Sequence, residues 1–313
     1  MRIAIFNGFL FHYEMFGYLI DFCRKMKYDL TVYWGIGFDH GYEELYRRIF
    51  NDYPFEIRSG REFLRMTAKQ RSAFDIVFLI TDDDYEFDKT NEENNRRTIC
   101  IEHSYKNRCP QLLNKIATRP FASEYLRDWA LPCCPILKCS YKTLLLLHDR
   151  NIIHIAIIGS TSGNYNTAVM NRIRYHDKLI CFHVIGRDVE RSQFAGLENL
   201  DRLNTYKNID TLYMLRVIDC CQFILTDHVL DDRYEKEQMS GSIPMAFSML
   251  VPLIISSQTN QYYKFENVIE FDKTDCSDIV LRDINIQLLE SERDAMVLRN
   301  HDMLKKHIEM TII

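Results

Sequence analysis

Residues 237–255 read EQMSGSIPMAFSMLVPLII, and this stretch decides the fold. A small polar turn, Ser240-Gly241-Ser242, runs straight into Pro244. A short apolar segment follows, then Pro252 and the run Leu253-Ile254-Ile255. With Ser242 or Ile243 as N-cap, Pro244 falls in the first helical turn, where its missing N–H leaves nothing unsatisfied. Pro252 stops the helix, and the three residues after it read as a buried strand. Loop, short helix and strand in that order are one step of an α/β sheet. The N–H groups of the first turn and the helix dipole can seat an anion. Gly241 lets a ligand approach the backbone. An ordinary capped helix carries the same local signature.

Outward from this stretch the alternation continues. Before it come an apolar run at Ile152–Ile158, a Gly159–Gly163 turn, a helical segment from Thr167 to Tyr175 and a strand at Leu179–Ile185. A helix at Thr211–Val217 and a strand at Cys221–Thr226 follow, and Val268–Phe271 reads as a strand after Leu253–Ser256. The first half repeats the scheme. Strands are expected at Arg2–Asn7, Asp29–Trp34, Phe55–Ile57, Asp75–Ile80 and Arg97–Ile101. Helices are expected at His12–Met26, Glu43–Phe50 and Glu62–Ser72. Near-continuous apolar strands alternating with helices imply parallel sheets covered on both faces. Pro120, Pro132 and Pro135 break the pattern and mark the exit from the first half. The expected fold is therefore α/β, with two tandem Rossmann-like doubly wound domains facing a cleft. Residues 1–140 form the first domain and 151–282 the second. Residues 283–313 are terminal helices, with the first domain as a candidate packing surface.

Composition narrows the function. A net charge of −5 over 313 residues, without a basic tract, argues against nucleic acid as a partner. The longest apolar runs are far short of the roughly 18 residues that a membrane helix requires. The start, MRIAIFNGF, has no secretory-signal pattern. Ten cysteines suggest a reducing compartment, hence a cytoplasmic protein. Cys109, Cys133, Cys134 and Cys139 cluster in sequence, but not at the spacing of paired metal ligands.

In doubly wound sheets, ligands lie at the carboxyl ends of strands, by the switch in strand order. His103 follows the RTICI strand, where an imidazole can donate a hydrogen bond or take a proton. His12 follows the first strand. His148, His154 and His183 lie in or near apolar runs and read as packed residues. Thr81-Asp82-Asp83-Asp84 follows the DIVFLI strand. D-x-D carboxylates there could bind a divalent metal or line a second substrate's site, and Asp82 is nearest the strand. Gly159-Ser160-Thr161-Ser162-Gly163 lacks both G-x-G-x-x-G and a following Gly-Lys-Ser/Thr. It is thus neither a dinucleotide fingerprint nor a P-loop. Its backbone and hydroxyls, at Gly159, Ser160 and Thr161, can still contact a diphosphate. Arg187, after FHVIG, could meet a phosphate or a base.

Glu237 followed by SGSIPMAFSMLVPLII resembles the donor-binding segment of GT-B glycosyltransferases, above all the retaining family-4-like group. Ile155–Gly159, Phe182–Gly186 and Asp210–Thr226 resemble the preceding parts of that domain, in order. The similarity is closest to divergent members of the viral and protist type. It implies a nucleotide-diphosphate sugar as co-substrate, with its diphosphate at Ser240, Gly241, Ser242 and Ile243 and its hydroxyls on Glu237. It places the acceptor (glycan, protein or lipid) near Asn7, Gly8, His12, Asp82 and His103, with His103 and Glu237 catalytic. It implies hexosyl transfer with retained configuration and no required cofactor or metal. Two departures stand out. Met245 occupies the place of the family's second glutamate, with Glu235 competing for the first. The Gly159–Asn166 loop also lacks the family's basic pair, leaving Arg172, Arg187, Lys207 or Lys236 to substitute. A nucleotide-sugar epimerase would need those basic groups. A non-catalytic sugar-, nucleotide- or protein-binding module would not.

Overall fold

The computed structural model describes residues 1–7, 12–35, 40–80, 96–103, 114–120, 128–137, 151–159, 165–226, 235 and 238–312. Contacts divide the chain into two units. One comprises residues 1–134, 237–239 and 295–313, the other residues 135–236 and 240–294.

The first unit alternates as its apolar runs require. It contains β1 (Arg2–Asn7), α1 (Phe16–Met26), β2 (Asp29–Trp34), α2 (Tyr42–Ile49) and β3 (Glu56–Ser59). Then come α3 (Gly60–Arg65), α4 (Ala68–Arg71), β4 (Ile76–Ile80), β5 (Thr98–Glu102) and β6 (Lys115–Ala117). The strands form one six-stranded sheet in the order β3-β2-β1-β4-β5-β6, and every pairing is parallel. Every residue of β4 and β5 is buried. Phe6 stacks on Phe63 at 4.4 Å beneath one face, and Trp34 stacks on Phe16 at 4.8 Å. The helix expected over Glu62–Ser72 is two pieces, because Met66 is extended and Thr67 starts α4 with a capping box to Gln70. Likewise His12 is not helical. It is left-handed (φ 69°) and precedes a single 3-10 turn, Tyr13–Met15, which leads into α1.

The second unit repeats this topology. Its elements are β7 (Ile152–Ile158), α5 (Thr167–Asn171), β8 (Ile173–Arg174), β9 (Leu179–Gly186) and β10 (Leu203–Lys207). They continue with α6 (Thr211–Asp219), β11 (Phe223–Leu225), α7 (Ser242–Met249), β12 (Leu253–Ser256) and α8 (Ser257–Tyr263). Next are β13 (Ile269–Phe271), β14 (Ile279–Val280) and α9 (Ile286–Ile312). Six strands lie in the order β10-β9-β7-β11-β12-β13, again all parallel. The helix expected over Thr167–Tyr175 stops at Asn171. Ile173–Arg174 instead pairs with β14 in a separate two-stranded sheet.

Helix α9 contributes to both units. Glu292 accepts from the Glu266 and Asn267 N–H groups at 2.9 and 3.1 Å, within the second. Within the first, Asn300 Nδ2 donates to the Leu131 carbonyl at 2.6 Å, and Arg299 lies 3.9 Å over the Trp129 ring. Among the described residues no helix is long and apolar enough to cross a membrane, and the eight cysteines are free thiols.

Gly186, the last residue of β9, meets Gly159, the residue that follows β7. A Cβ there would lie 2.3 Å from the Gly159 oxygen and 2.5 Å from Val189 Cγ2. Gly186→Ala is therefore expected to destabilise the second unit by about 1–3 kcal/mol, the usual range for forcing a group into a filled site. Urea denaturation measures this, and an unchanged midpoint would show that Gly159 and Val189 yield freely.

Candidate functional site

In the first sheet the strand order switches between β1 and β4, where Asn7 is in register with Ile80. Asn7 is fully buried. On the chain leaving β1, the left-handed backbone of His12 turns into the Tyr13–Met15 coil, with the Met15 N–H on the His12 carbonyl at 3.1 Å. On the chain leaving β5 comes His103. The two imidazoles meet with ring centres 4.2 Å apart and planes inclined at 45°. His12 Nδ1 lies 3.3 Å from Glu14 Oε1. His103 is only 8% exposed, and its Nδ1 has no hydrogen-bond partner among the described residues. Burial, and secondarily the neighbouring His12, push its pKa well below the ordinary histidine value. His103 is thus a neutral imidazole at pH 7, with one nitrogen able to donate and the other to accept.

The neighbourhood contains groups that sequence reading passed over. Glu102, the last residue of β5, is fully buried and pairs with Lys115 Nζ of β6 at 3.1 Å. Arg119, just past β6, is also fully buried. Its Nε donates to the Pro120 carbonyl at 3.1 Å and its terminal nitrogen to the Gln238 carbonyl at 2.9 Å. Thr118 Oγ1 is buried without a partner among the described residues. In sequence, Pro120 marks only a break in the pattern, and nothing local marks Arg119 as a buried arginine.

In the second sheet the switch lies between β7 and β11. Gly159 follows β7, with its N–H on the Ile185 carbonyl at 3.0 Å, and half-buried Arg187 follows β9. Thr226, after β11, is buried and donates from Oγ1 to the Ile254 carbonyl at 3.1 Å. The head of α7 differs from expectation. Gly241 is its N-cap, not Ser242 or Ile243, so no side chain caps it. Pro244 still falls in the first turn. The Ile243 N–H is not bare, because it donates to the Ser240 carbonyl at 3.1 Å. Ser242 and Ile243 are buried, with Ser240 Oγ 2.6 Å from Ser242 Oγ, while Ser240 and Gly241 are half-buried. Leu250 ends the helix left-handed (φ 52°), and the Val251 N–H returns to the Ala246 carbonyl at 3.0 Å, which turns the chain into β12.

The candidate basic substitutes separate. Arg172 is spent on the Ser277 and Asp272 carbonyls, at 2.6 and 3.4 Å. Lys207 pairs with Glu190. Arg187 and Lys207 both stand at strand carboxyl ends, Arg187 just after β9 and Lys207 closing β10. Glu235 is paired with Lys273 at 3.3 Å. Gly8, Asp82, Ser160, Thr161, Lys236 and Glu237 lie outside the described residues.

No protein-family model and no curated protein sequence matches the chain. Solved structures do. The N-terminal domain of Candida albicans trehalose-6-phosphate phosphatase aligns over 99% of both chains, with a TM-score of 0.55 at 9% identity. AviGT4, a glycosyltransferase involved in avilamycin A biosynthesis, aligns over 99% of this chain and 95% of its own, at 0.51 and 8%. HepE from Anabaena, solved with UDP, aligns over 100% and 97%, at 0.50 and 9%. At such identities the likeness establishes the fold. Two six-stranded parallel Rossmann-like sheets in one chain match the GT-B glycosyltransferase architecture.

Proposed function

We propose that this chain is a GT-B glycosyltransferase that uses a nucleotide-diphosphate sugar. The observation that carries the reading is His103. It is a buried, neutral imidazole with Nδ1 unpartnered among the described residues, at the carboxyl end of the first sheet and against His12. A buried polar atom left open in this way is expected where a ligand completes it. The architecture shared with a UDP-bound protein and with a glycosyltransferase involved in avilamycin A biosynthesis supports the same class.

In this reading the second unit holds the nucleotide. The Gly159 turn, the half-buried Ser240-Gly241 backbone and Arg187 face its diphosphate, and Glu237 binds hydroxyls of the sugar or ribose. Asn7, His12 and His103 serve the acceptor and the transferred sugar. His103 donates to, or accepts from, a hydroxyl of the transferred sugar while the anomeric carbon leaves the diphosphate oxygen and bonds to an acceptor hydroxyl, whose proton passes to the departing phosphate. The rate then comes from positioning and from donors aimed at the leaving phosphate. We propose a cytoplasmic, metal-independent hexosyl transfer with retention. A non-catalytic binding module is the second reading, favoured by the absence of any basic residue in Gly159–Asn166.

A thermal-shift series with UDP, GDP, ADP and CMP and their sugars, with and without Mn²⁺, tests the proposal. A ligand at 100 times its Kd stabilises by about 2.7 kcal/mol. The expected result is one nucleotide that raises the melting temperature without Mn²⁺ and whose sugar is consumed on incubation with acceptor mixtures. A shift without turnover would select the binding module. No shift with any nucleotide would remove the transferase reading.

A further inference from the structure

The sheet of the second unit has one conventional face and one unusual face. Ile153, Ile155 and Ile157 of β7, with Phe182 and Val184 of β9, enter the apolar core, and Ile180 packs against it. Side chains alternate along a strand, so His154 of β7 and Cys181 and His183 of β9 emerge on the opposite face. His154 is in register with Cys181, and Asn204 of β10 with His183. Three soft or borderline ligands therefore converge from two adjacent strands.

We propose that His154, Cys181 and His183 form a binding site for a divalent transition metal of the zinc class. The three ligand atoms all lie within 4.8 Å of one another. His183 Nε2 is 3.7 Å from Cys181 Sγ and 2.8 Å from His154 Nδ1. Metal bonds of about 2.0 Å to nitrogen and about 2.3 Å to sulfur at tetrahedral angles require separations of roughly 3.6 Å and 3.3 Å. The Cys181–His183 pair already fits, while the Cys181–His154 pair is bounded only by the 4.8 Å span of the cluster. The imidazole pair needs to open by roughly half an ångström, a small side-chain rotation.

The surrounding groups suit the same purpose. Tyr206 Oη lies 2.9 Å from His183 Nδ1, which orients the ring so that Nε2 faces the other two ligands. Asn204 Nδ2 donates to Cys181 Sγ at 3.3 Å and so helps to fix the position of the sulfur. Binding displaces the Cys181 thiol proton to solvent as the sulfur–metal bond forms. It also requires His183 to carry its remaining proton on Nδ1, with the tyrosine oxygen accepting. Imidazole with thiolate selects zinc-class ions over magnesium or calcium. Three protein ligands leave a fourth position for water, and half-buried His154 and His183 leave the cluster reachable. The cluster sits in the middle of β7 and β9, away from the strand ends that carry the proposed nucleotide contacts.

Cobalt(II) chloride added to the full, reduced, chelator-treated chain tests the proposal. One equivalent should bind and give a thiolate-to-cobalt charge-transfer band in the near ultraviolet. Cys181→Ser should abolish the band, and His183→Asn should weaken binding at least about tenfold. Tyr206→Phe, which removes only the orienting group, should keep the band and weaken binding by about 10–100-fold. A band unchanged in Cys181→Ser, or no stoichiometric binding by the unaltered chain, would overturn the site. Because Cys181→Ser could disturb folding, X-ray absorption on the unaltered zinc-loaded chain gives a second readout. One sulfur among nitrogen or oxygen neighbours supports the site, and a shell without sulfur overturns it.

Discussion

His103→Ala is expected to lower turnover by at least about a hundredfold while leaving nucleotide affinity within about twofold. A positioned acid or base contributes about 10²–10⁴ in rate. His103 sits in the first unit, whereas the proposed diphosphate contacts, Gly159, Arg187, Ser240 and Gly241, belong to the second. The ring is buried against His12 with Nδ1 unpartnered among the described residues, so alanine removes the donor–acceptor group and leaves a small void. Parallel kinetics and nucleotide titration separate the two roles. Equal loss of both would make His103 a packing residue. The same side chain predicts a pH effect on stability. Its pKa is depressed in the folded state, so the unfolded chain takes the proton first as pH falls. Stability from this group is complete above about pH 6.5, the unfolded value, and is lost as the pH drops below it. His103→Asn should flatten that part of the acid limb of the denaturation profile, and an unaltered limb would contradict the assignment.

The second large effect concerns Arg119. Arg119→Met should lower the unfolding free energy by about 3–5 kcal/mol, since each hydrogen bond to a charged group contributes about 1.5–3 kcal/mol. The guanidinium is fully buried and holds the Pro120 and Gln238 carbonyls. Methionine fills much of the volume but leaves both acceptors without this donor. Gln238 belongs to the first unit with residues 237 and 239, so the arginine also fixes the brief return of the chain into that unit. Arg119→Lys should recover only part of the loss, because a single ammonium lacks the planar fork. Urea denaturation of the three proteins decides it. A loss below about 1 kcal/mol for Arg119→Met would show that water replaces the guanidinium.

The fold was legible where burial is two-sided. Runs such as DIVFLI and IIHIAII announce central parallel strands because both faces are covered. The edge strand β10, LNTYK, gave no such signal, since most of it is exposed. β6 has only three residues, and α8, SQTNQYY, has the composition of a loop. His12 and His103 could be placed at strand ends from sequence, but their ring contact depends on the left-handed turn at His12. The His154–Cys181–His183 cluster was hidden for a related reason. Each residue sits in an apolar run and reads as packing, and only the β7–β9 register brings them together.

The course of α9 has a consequence for synthesis on the ribosome. The second unit is nearly contiguous in the chain, whereas the first borrows residues 295–313. His307 reaches Asp128 at 3.0 Å and Asn300 reaches Leu131, so the first unit lacks these partners until the helix has been made. Domains usually complete in order of emergence. Here the later-emerging unit can close first, while the nascent first sheet waits open, a natural client for chaperones. A fragment ending before residue 295 should accordingly retain a folded second half and expose the first to protease.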